Sequence, residues 1–223
     1  MAEKKSGDKV TRYIVIGMVF LVVLAGVGAS LFSSHSANSY AKPAAAVKAE
    51  GNGITFNPKA PVKVDFWEDF QCPNCRNFEV VVNSYVTSLI KAGKIKAVYH
   101  SMSFIGPESI LAANAAACAS DAGKFLEYHA GLYANQGKTE NSGIWTPLYL
   151  KKLGDAIGIK DSNFEKCVAS SKYDGWVSGI ETDATKRGVN STPTVFVNGT
   201  LMPTENYLDI TKFSAYLQKA GVK

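Results

Sequence analysis

Apolar residues run from Tyr13 to Phe32 without a charge. A stretch of about 20 residues makes a helix roughly 30 Å long, enough to cross the hydrocarbon core of a bilayer. Lys4, Lys5, Lys9 and Arg12 precede the run, and no Lys or Arg follows until Lys42. The positive-inside rule then predicts a cytoplasmic tail over 1–12, a transmembrane helix or signal anchor over 13–32, and a chain exported from there on. Cleavage as a signal peptide, with Ser39-Tyr40-Ala41 as the small-residue site, is the competing reading. The length of the run favours the anchor, because signal h-regions are usually about 7–15 residues. Residues 33–52 are small and polar, with Pro43 and Gly51, and read as a flexible tether.

Beyond residue 52 the pattern is that of one domain, 53–223. Ile54-Thr55-Phe56 reads as a short strand and Val62 to Trp67 as a better one, β-branched and apolar. Asn77 to Ala92 has a helical period through Phe78, Val81, Val82, Tyr85, Leu89 and Ile90, with Gly93 after it. Ile95 to His100 alternates as a strand, so strand, helix and strand imply a parallel pair with a crossover. A block of about 85 residues, roughly 105–187, then reads as helices: Pro107–Ala122, Phe125–Asn135, Thr146–Ile157, one capped by Ser162, and Tyr173–Lys186. Strand character returns at Thr194-Val195-Phe196-Val197. Asn198-Gly199 is a hairpin turn, and Leu208 to Lys219 closes the chain as a helix.

The net charge of +5 on 223 residues is scattered beyond the N-terminus, and no basic run interleaves with aromatics. That excludes a nucleic-acid partner as the expectation. The four cysteines change the picture more. Cys72-Pro73-Asn74-Cys75 sits between a strand and a helix. Pro73 suits the first helical turn, and the helix N-terminus, with about half a positive charge, favours a thiolate. Cys72 at the helix start is the expected exposed nucleophile, and Cys75, one turn in, the buried resolving partner. Half of a zinc site is the alternative, but His35, His100 and His129 stand singly and supply no ligand pair, so no metal is expected. Cys118 and Cys167 fall in separate helices of the block. An even count in an exported chain predicts a structural disulfide between them, closing a loop of about 50 residues.

The order of elements around Cys72-Pro73-Asn74-Cys75 and Ser191-Thr192-Pro193-Thr194, with Val64-Asp65-Phe66-Trp67 before them and Asn198-Gly199 after, resembles the α/β thioredoxin fold. The large helical insertion is similar to that of the DsbA family of exported thiol–disulfide oxidoreductases. The anchor and tether resemble its membrane-tethered Gram-positive members. The resemblance implies a cis peptide bond before Pro193, which would bring the Thr192 backbone beside the sulfurs to pair with an extended substrate. It also implies a buried acid that relays a proton to the inner cysteine. The gap to Cys72 is one residue longer than in thioredoxin, so Asp65 or Glu68 takes that role. Pro73 and Asn74 tune the pair. The most oxidising members carry His where this chain has Asn74, which can donate a hydrogen bond but no charge.

The implied activity is oxidation of cysteine pairs in unfolded or reduced secreted proteins, with no cofactor beyond the redox-active disulfide. A membrane re-oxidase of the DsbB or vitamin K epoxide reductase-like type would be the partner. A reductase or isomerase on the same fold, and a tethered non-enzymatic holdase, are the other two readings.

Overall fold

The computed structural model describes residues 40–223. The expected cytoplasmic tail (1–12), the expected transmembrane helix or anchor (13–32) and the first part of the expected tether lie outside the described residues. Among the described residues, no helix is long and apolar enough to cross a membrane.

The strands are β1 (Ile54–Phe56), β2 (Val62–Asp69), β3 (Ile95–Met102), β4 (Thr194–Val197) and β5 (Thr200–Leu201). The helices are α1 (Pro73–Lys91), α2 (Pro107–Asp121), α3 (Phe125–Ala134), α4 (Pro147–Ala156), α5 (Ser162–Ala169), α6 (Asp174–Lys186) and α7 (Ile210–Lys219). The sheet runs β1-β3-β2-β4-β5. Only β2 and β3 are parallel, in the register Phe66↔Tyr99 and Trp67↔His100, and α1 is their crossover. The other pairs are antiparallel. This is the expected thioredoxin arrangement, and α2 to α6 form the helical insertion between β3 and β4.

Strand β2 is central and buried from Val64 to Asp69, so both of its faces are core. Side chains alternate across a strand, which puts Val64, Phe66 and Glu68 on one face and Asp65, Trp67 and Asp69 on the other. On the first face Phe66 stacks on Tyr99 at 4.9 Å and meets Phe78 of α1, which meets Phe213 of α7. On the second face Trp67 stacks flat on His100 at 3.7 Å. Helix α2 is the centre of the insertion. Its alanines 112, 113, 115, 116, 117 and 119 are fully buried, and such small residues let α3, α4, α5 and α6 all reach it. A disulfide between Cys118 and Cys167 joins α2 to α5, with Cα atoms 5.9 Å apart.

Strands β2 and β3 each run two residues past the sequence reading and α7 starts two residues later, and three further differences matter more. Helix α1 begins at Pro73, a full turn before Asn77, so the redox motif is itself the first turn. Asp161, and not Ser162, caps α5, its carboxylate accepting from the Asn163 amide. Residues 40–52 are no free tether. Ala46 bridges to Ile54, and Glu50 pairs with Lys63 at 3.0 Å and Lys96 at 2.7 Å. The Asn52 amide donates to Asp183. Tyr40 packs where α6 has only Gly175 and Gly179, and a Cβ at Gly179 would strike its hydroxyl.

Candidate active site

Cys72 is the residue that caps α1, with extended backbone angles (φ −70°, ψ 119°), and Pro73 follows as the first helical residue. The first-turn N–H groups have no partner within the helix, and they leave a positive helix end beside Cys72, although its sulfur makes no capping hydrogen bond. Cys72 keeps 8% exposure and Cys75 has none. Both are free thiols. The Thr192–Pro193 bond is cis, and the Thr192 carbonyl accepts from the Cys72 thiol at 3.4 Å. The structure thus brings Cys72, Cys75, Pro73, Asn74, Thr192 and Pro193 together from positions 120 apart in sequence. Neither histidine nor the Cys118–Cys167 pair joins them, so the zinc-type ligand set is not assembled around Cys72 among the described residues.

The two sulfurs are held in opposite states. The chief cause lowering the Cys72 pKa is the neighbouring Cys75 thiol, which favours the Cys72 thiolate; the Thr192 hydroxyl, distinct from its carbonyl, and the backbone N–H groups of Cys75 and Asn74 act in the same direction. Together they outweigh burial and lower the Cys72 pKa to about 6. Burial, the bond to Cys72 and the charges of Glu68 and Cys72 push Cys75 well above the ordinary thiol range. Asn74 acts here through its backbone amide, while its side chain lies exposed at the mouth of the site.

The two acids singled out from the sequence part company. Glu68 is on the face of β2 that meets α1, buried, and close enough for its charge to raise Cys75. Asp65 is on the opposite face, bonded to His100 at 3.3 Å and paired with Lys63 at 3.0 Å. The expectation that either acid could serve the redox pair is therefore corrected: the alternation of β2 turns Asp65 away from Cys75. Burial pushes Asp65 up, but the bonds to His100 and Lys63 more than offset it and hold its pKa below the ordinary value.

Two residues that the sequence reading passed over belong to the site. His129 of α3 places Nε2 3.0 Å from Glu68 Oε2 and Nδ1 3.6 Å from Glu79 Oε2. Burial raises both carboxyls to about 8 and lowers the His129 pKa. One donor atom from each of these three lies within 4.8 Å of the others, which makes them the group that could hold a cation among the described residues. At 3.0 Å the nitrogen and oxygen are at hydrogen-bond distance, so the cluster is built as a set of groups that share protons. The spacing of Phe125, His129 and Tyr133 at i, i+4, i+8 along α3 was the available signal, since it places His129 on the buried aromatic stripe.

Asp69 is the second. It is buried, and its carboxylate accepts from Ser109 Oγ at 2.6 Å, from the Gln71 amide at 2.9 Å and from the Ile105 amide at 3.3 Å. Its carbonyl accepts from the Cys72 amide at 3.0 Å. Asp69 thus ties the redox loop to the β3–α2 loop. Burial is the chief cause raising its pKa to about 6.

Comparison with known proteins agrees with this geometry. Residues 50–219 match a family model described as thioredoxin. A probable disulfide bond formation protein D of Bacillus cereus is 33% identical over 146 residues, which are 64% of this chain and 68% of that protein. Oxidised DsbA of Mycobacterium tuberculosis superposes with a TM-score of 0.63 at 27% identity, over 74% of this chain and 88% of that one. BdbD of Bacillus subtilis shares the fold, with a TM-score of 0.66 at 24% identity over 81% and 96% of the two chains. The chain belongs to the thioredoxin family and, within it, is a DsbA-like thiol–disulfide oxidoreductase related to the disulfide bond formation proteins D.

Proposed function

We propose that this oxidoreductase works outside the cytoplasm as an oxidase, introducing disulfides into unfolded or reduced secreted proteins. The observation that carries the direction is the asymmetry of the two sulfurs. A Cys72 pKa of about 6 stabilises the reduced protein and makes Cys72 a good leaving group, and both effects favour handing a disulfide on. The Cys118–Cys167 bond supports an oxidising compartment, and the apolar run at 13–32 supports a membrane anchor.

In the proposed cycle a client thiolate attacks Cys72 Sγ of the oxidised protein. The Cys72–Cys75 bond breaks and its electron pair leaves on Cys75 Sγ, which takes up a proton. Glu68, whose charge acts on Cys75, is the acid we assign to supply that proton. Its Oε1 is buried without a partner, and its raised pKa keeps it protonated at neutral pH. A second client thiolate then attacks the client sulfur of the mixed disulfide and expels the Cys72 thiolate. The client loses two electrons and two protons. The Cys72–Cys75 pair gains both electrons and, at neutral pH, one proton on Cys75. The other proton goes to solvent, because Cys72 leaves as a thiolate. No cofactor enters these steps. The Thr192 backbone beside the sulfur would hold the client strand. A quinone-linked membrane partner of the DsbB or vitamin K epoxide reductase-like type would restore the disulfide.

The reduction potential of the pair tests this reading. It should fall between about −270 mV and about −120 mV, on the oxidising side of thioredoxin. A value at or below thioredoxin's, with rapid reduction of insulin, would instead make the protein a reductase or isomerase. A Cys75→Ser variant should accumulate mixed disulfides through Cys72, and a Cys72→Ser variant should form none. A biological role intact in Cys72→Ser would favour the non-enzymatic holdase.

A further inference from the structure

The Cys72 sulfur opens into a cleft built from three segments distant in sequence: the redox turn with Asn74, the β3–α2 loop with Phe104, and the Ser191–Thr192 turn. Glu140, from the loop between α3 and α4, completes the wall and is the one charged residue lining it. Phe104 is 53% exposed, an aromatic ring left in solvent at the mouth of the reaction centre.

The loop that carries Glu140 is fastened to the redox turn. Gln136 Nε2 donates to the carbonyls of Phe70 at 2.7 Å and Cys72 at 3.0 Å. The amide of Asn141 donates to Gln71 Oε1 at 2.6 Å, and Gln71 Nε2 returns a bond to Asn141 Oδ1 at 3.1 Å. Asn141 Nδ2 donates to the Ile105 carbonyl at 3.2 Å, beside Phe104. Gly106 leaves room for this, because a Cβ there would collide with the Asn141 amide. Buried Glu108 accepts from the amides of Gly143 and Trp145 at the loop's far end. Residues on both sides of Glu140 are therefore tied to Gln71 and Cys72, the last two residues before the helix.

We infer that this cleft selects among client segments, and that Glu140 favours those whose reactive cysteine is flanked by a basic residue, while Phe104 receives an adjacent apolar side chain. A carboxylate on the wall of the cleft that holds the reacting sulfur attracts a Lys or Arg on the incoming strand and repels an acid, so it discriminates in both directions. Ring contact at Phe104 adds affinity with no regard to charge. Lys138 is exposed two residues earlier but does not line the cleft. This inference rests on the thiol–disulfide activity and adds a client preference to it.

The test uses the oxidised protein and two reduced dithiol peptides of identical sequence except for Lys or Glu beside the first cysteine. Each rate is divided by the rate of the same peptide with oxidised glutathione, which removes the peptide's own change in thiol reactivity. Low ionic strength is needed, since exposed charges are screened within about 10 Å at 0.1 M salt. The Lys peptide should be oxidised about fivefold faster than the Glu peptide, shrinking toward parity in high salt. Glu140→Gln should remove the preference and Glu140→Lys should reverse it. Asp155→Lys, the same charge change on the exposed face of α4, should keep it. Phe104→Ser should slow both peptides and keep their ratio. An equal preference in wild type and Glu140→Lys, or none in wild type, overturns the inference. Failure of the wild type to oxidise even dithiothreitol would overturn the activity beneath it, a result distinct from either.

Discussion

Two of the three buried carboxylates of strand β2 each face a histidine, on opposite faces of one sheet. Asp65 meets His100 and also Lys63, and Glu68 meets His129 and a second acid, Glu79. The residue types match and the burial is similar, yet the charge states diverge. Lys63 and His100 give Asp65 enough hydrogen bonding and charge to stay ionised below its ordinary pKa. Among the described residues Glu68 and Glu79 pair with no lysine or arginine, so burial drives both up to about 8. The neighbours of a buried acid thus decide whether it braces the fold or carries a proton. Only the second kind lies on the face that meets Cys75.

The largest effect expected from breaking this contrast is on the bracing side. Asp65→Ala leaves Lys63 and His100 facing an uncompensated buried site, and loss of one partner of a buried pair costs about 3–5 kcal/mol. Urea titration of the variant should show that loss, while the folded fraction should oxidise thiols at the wild-type rate. A large fall in rate per folded molecule would mean that the two faces are coupled. Next in size is Glu68→Gln. It should slow client oxidation by about a hundredfold, the low end of general acid–base catalysis. Stability at neutral pH should barely change, because an amide replaces a carboxyl that is already uncharged. A rate loss that tracks lost stability would reduce Glu68 to packing.

A third measurement separates the sulfurs from the acids. Below the Cys72 pKa, reduction of the disulfide takes up two protons, and above it one. The reduction potential should fall by about 59 mV per pH unit below pH 6 and by about 30 mV above it. The break near pH 6 belongs to Cys72, so Asp65→Asn should leave it in place. A single slope through pH 8 would mean that Cys72 is an ordinary thiol.

Much of this was legible in the chain. The fold followed from elements whose signals are local: β-branched runs at Val62 and Thr194, the Asn198-Gly199 turn, and proline at the starts of α2 and α4. The start of α1 was misplaced because Cys72 to Arg76 has no apolar period, although Pro73 marks a first turn. Asp65 and Glu68 stood undivided because β2 is buried on both faces, and only its parity, Glu68 with Val64 and Phe66, separates them. His129 lies 57 positions from Cys72, counted along the sequence, and meets Glu68 only through the packing of α3 on α1. No spacing rule predicts that meeting. The loop carrying Glu140 was silent for the same reason: its bonds to Gln71 and Cys72 exist only once the insertion has folded back on the redox turn.

The smallest effect expected is a change in the shape of stability against pH, measured in the oxidised protein so that Cys72 does not titrate. Asp65 has a lowered pKa, so its contribution is present above its unfolded value and disappears as the pH falls through the folded one. Glu79 is raised from 4.5 to about 8, so the folded chain holds its proton where the unfolded chain has released it. Its contribution is full at acid pH and is lost as the pH climbs through about 8. The two faces therefore limit the protein from opposite ends. Glu79→Gln should flatten the alkaline decline in melting temperature and leave the acid limb where it was, since Lys63 and His100 still hold Asp65 ionised. Asn83 keeps an acceptor in the glutamine, so its bond to residue 79 survives the change. If the acid limb moved and the alkaline one did not, the proton would belong to the wrong face of β2, and Glu68 would have no reservoir behind it.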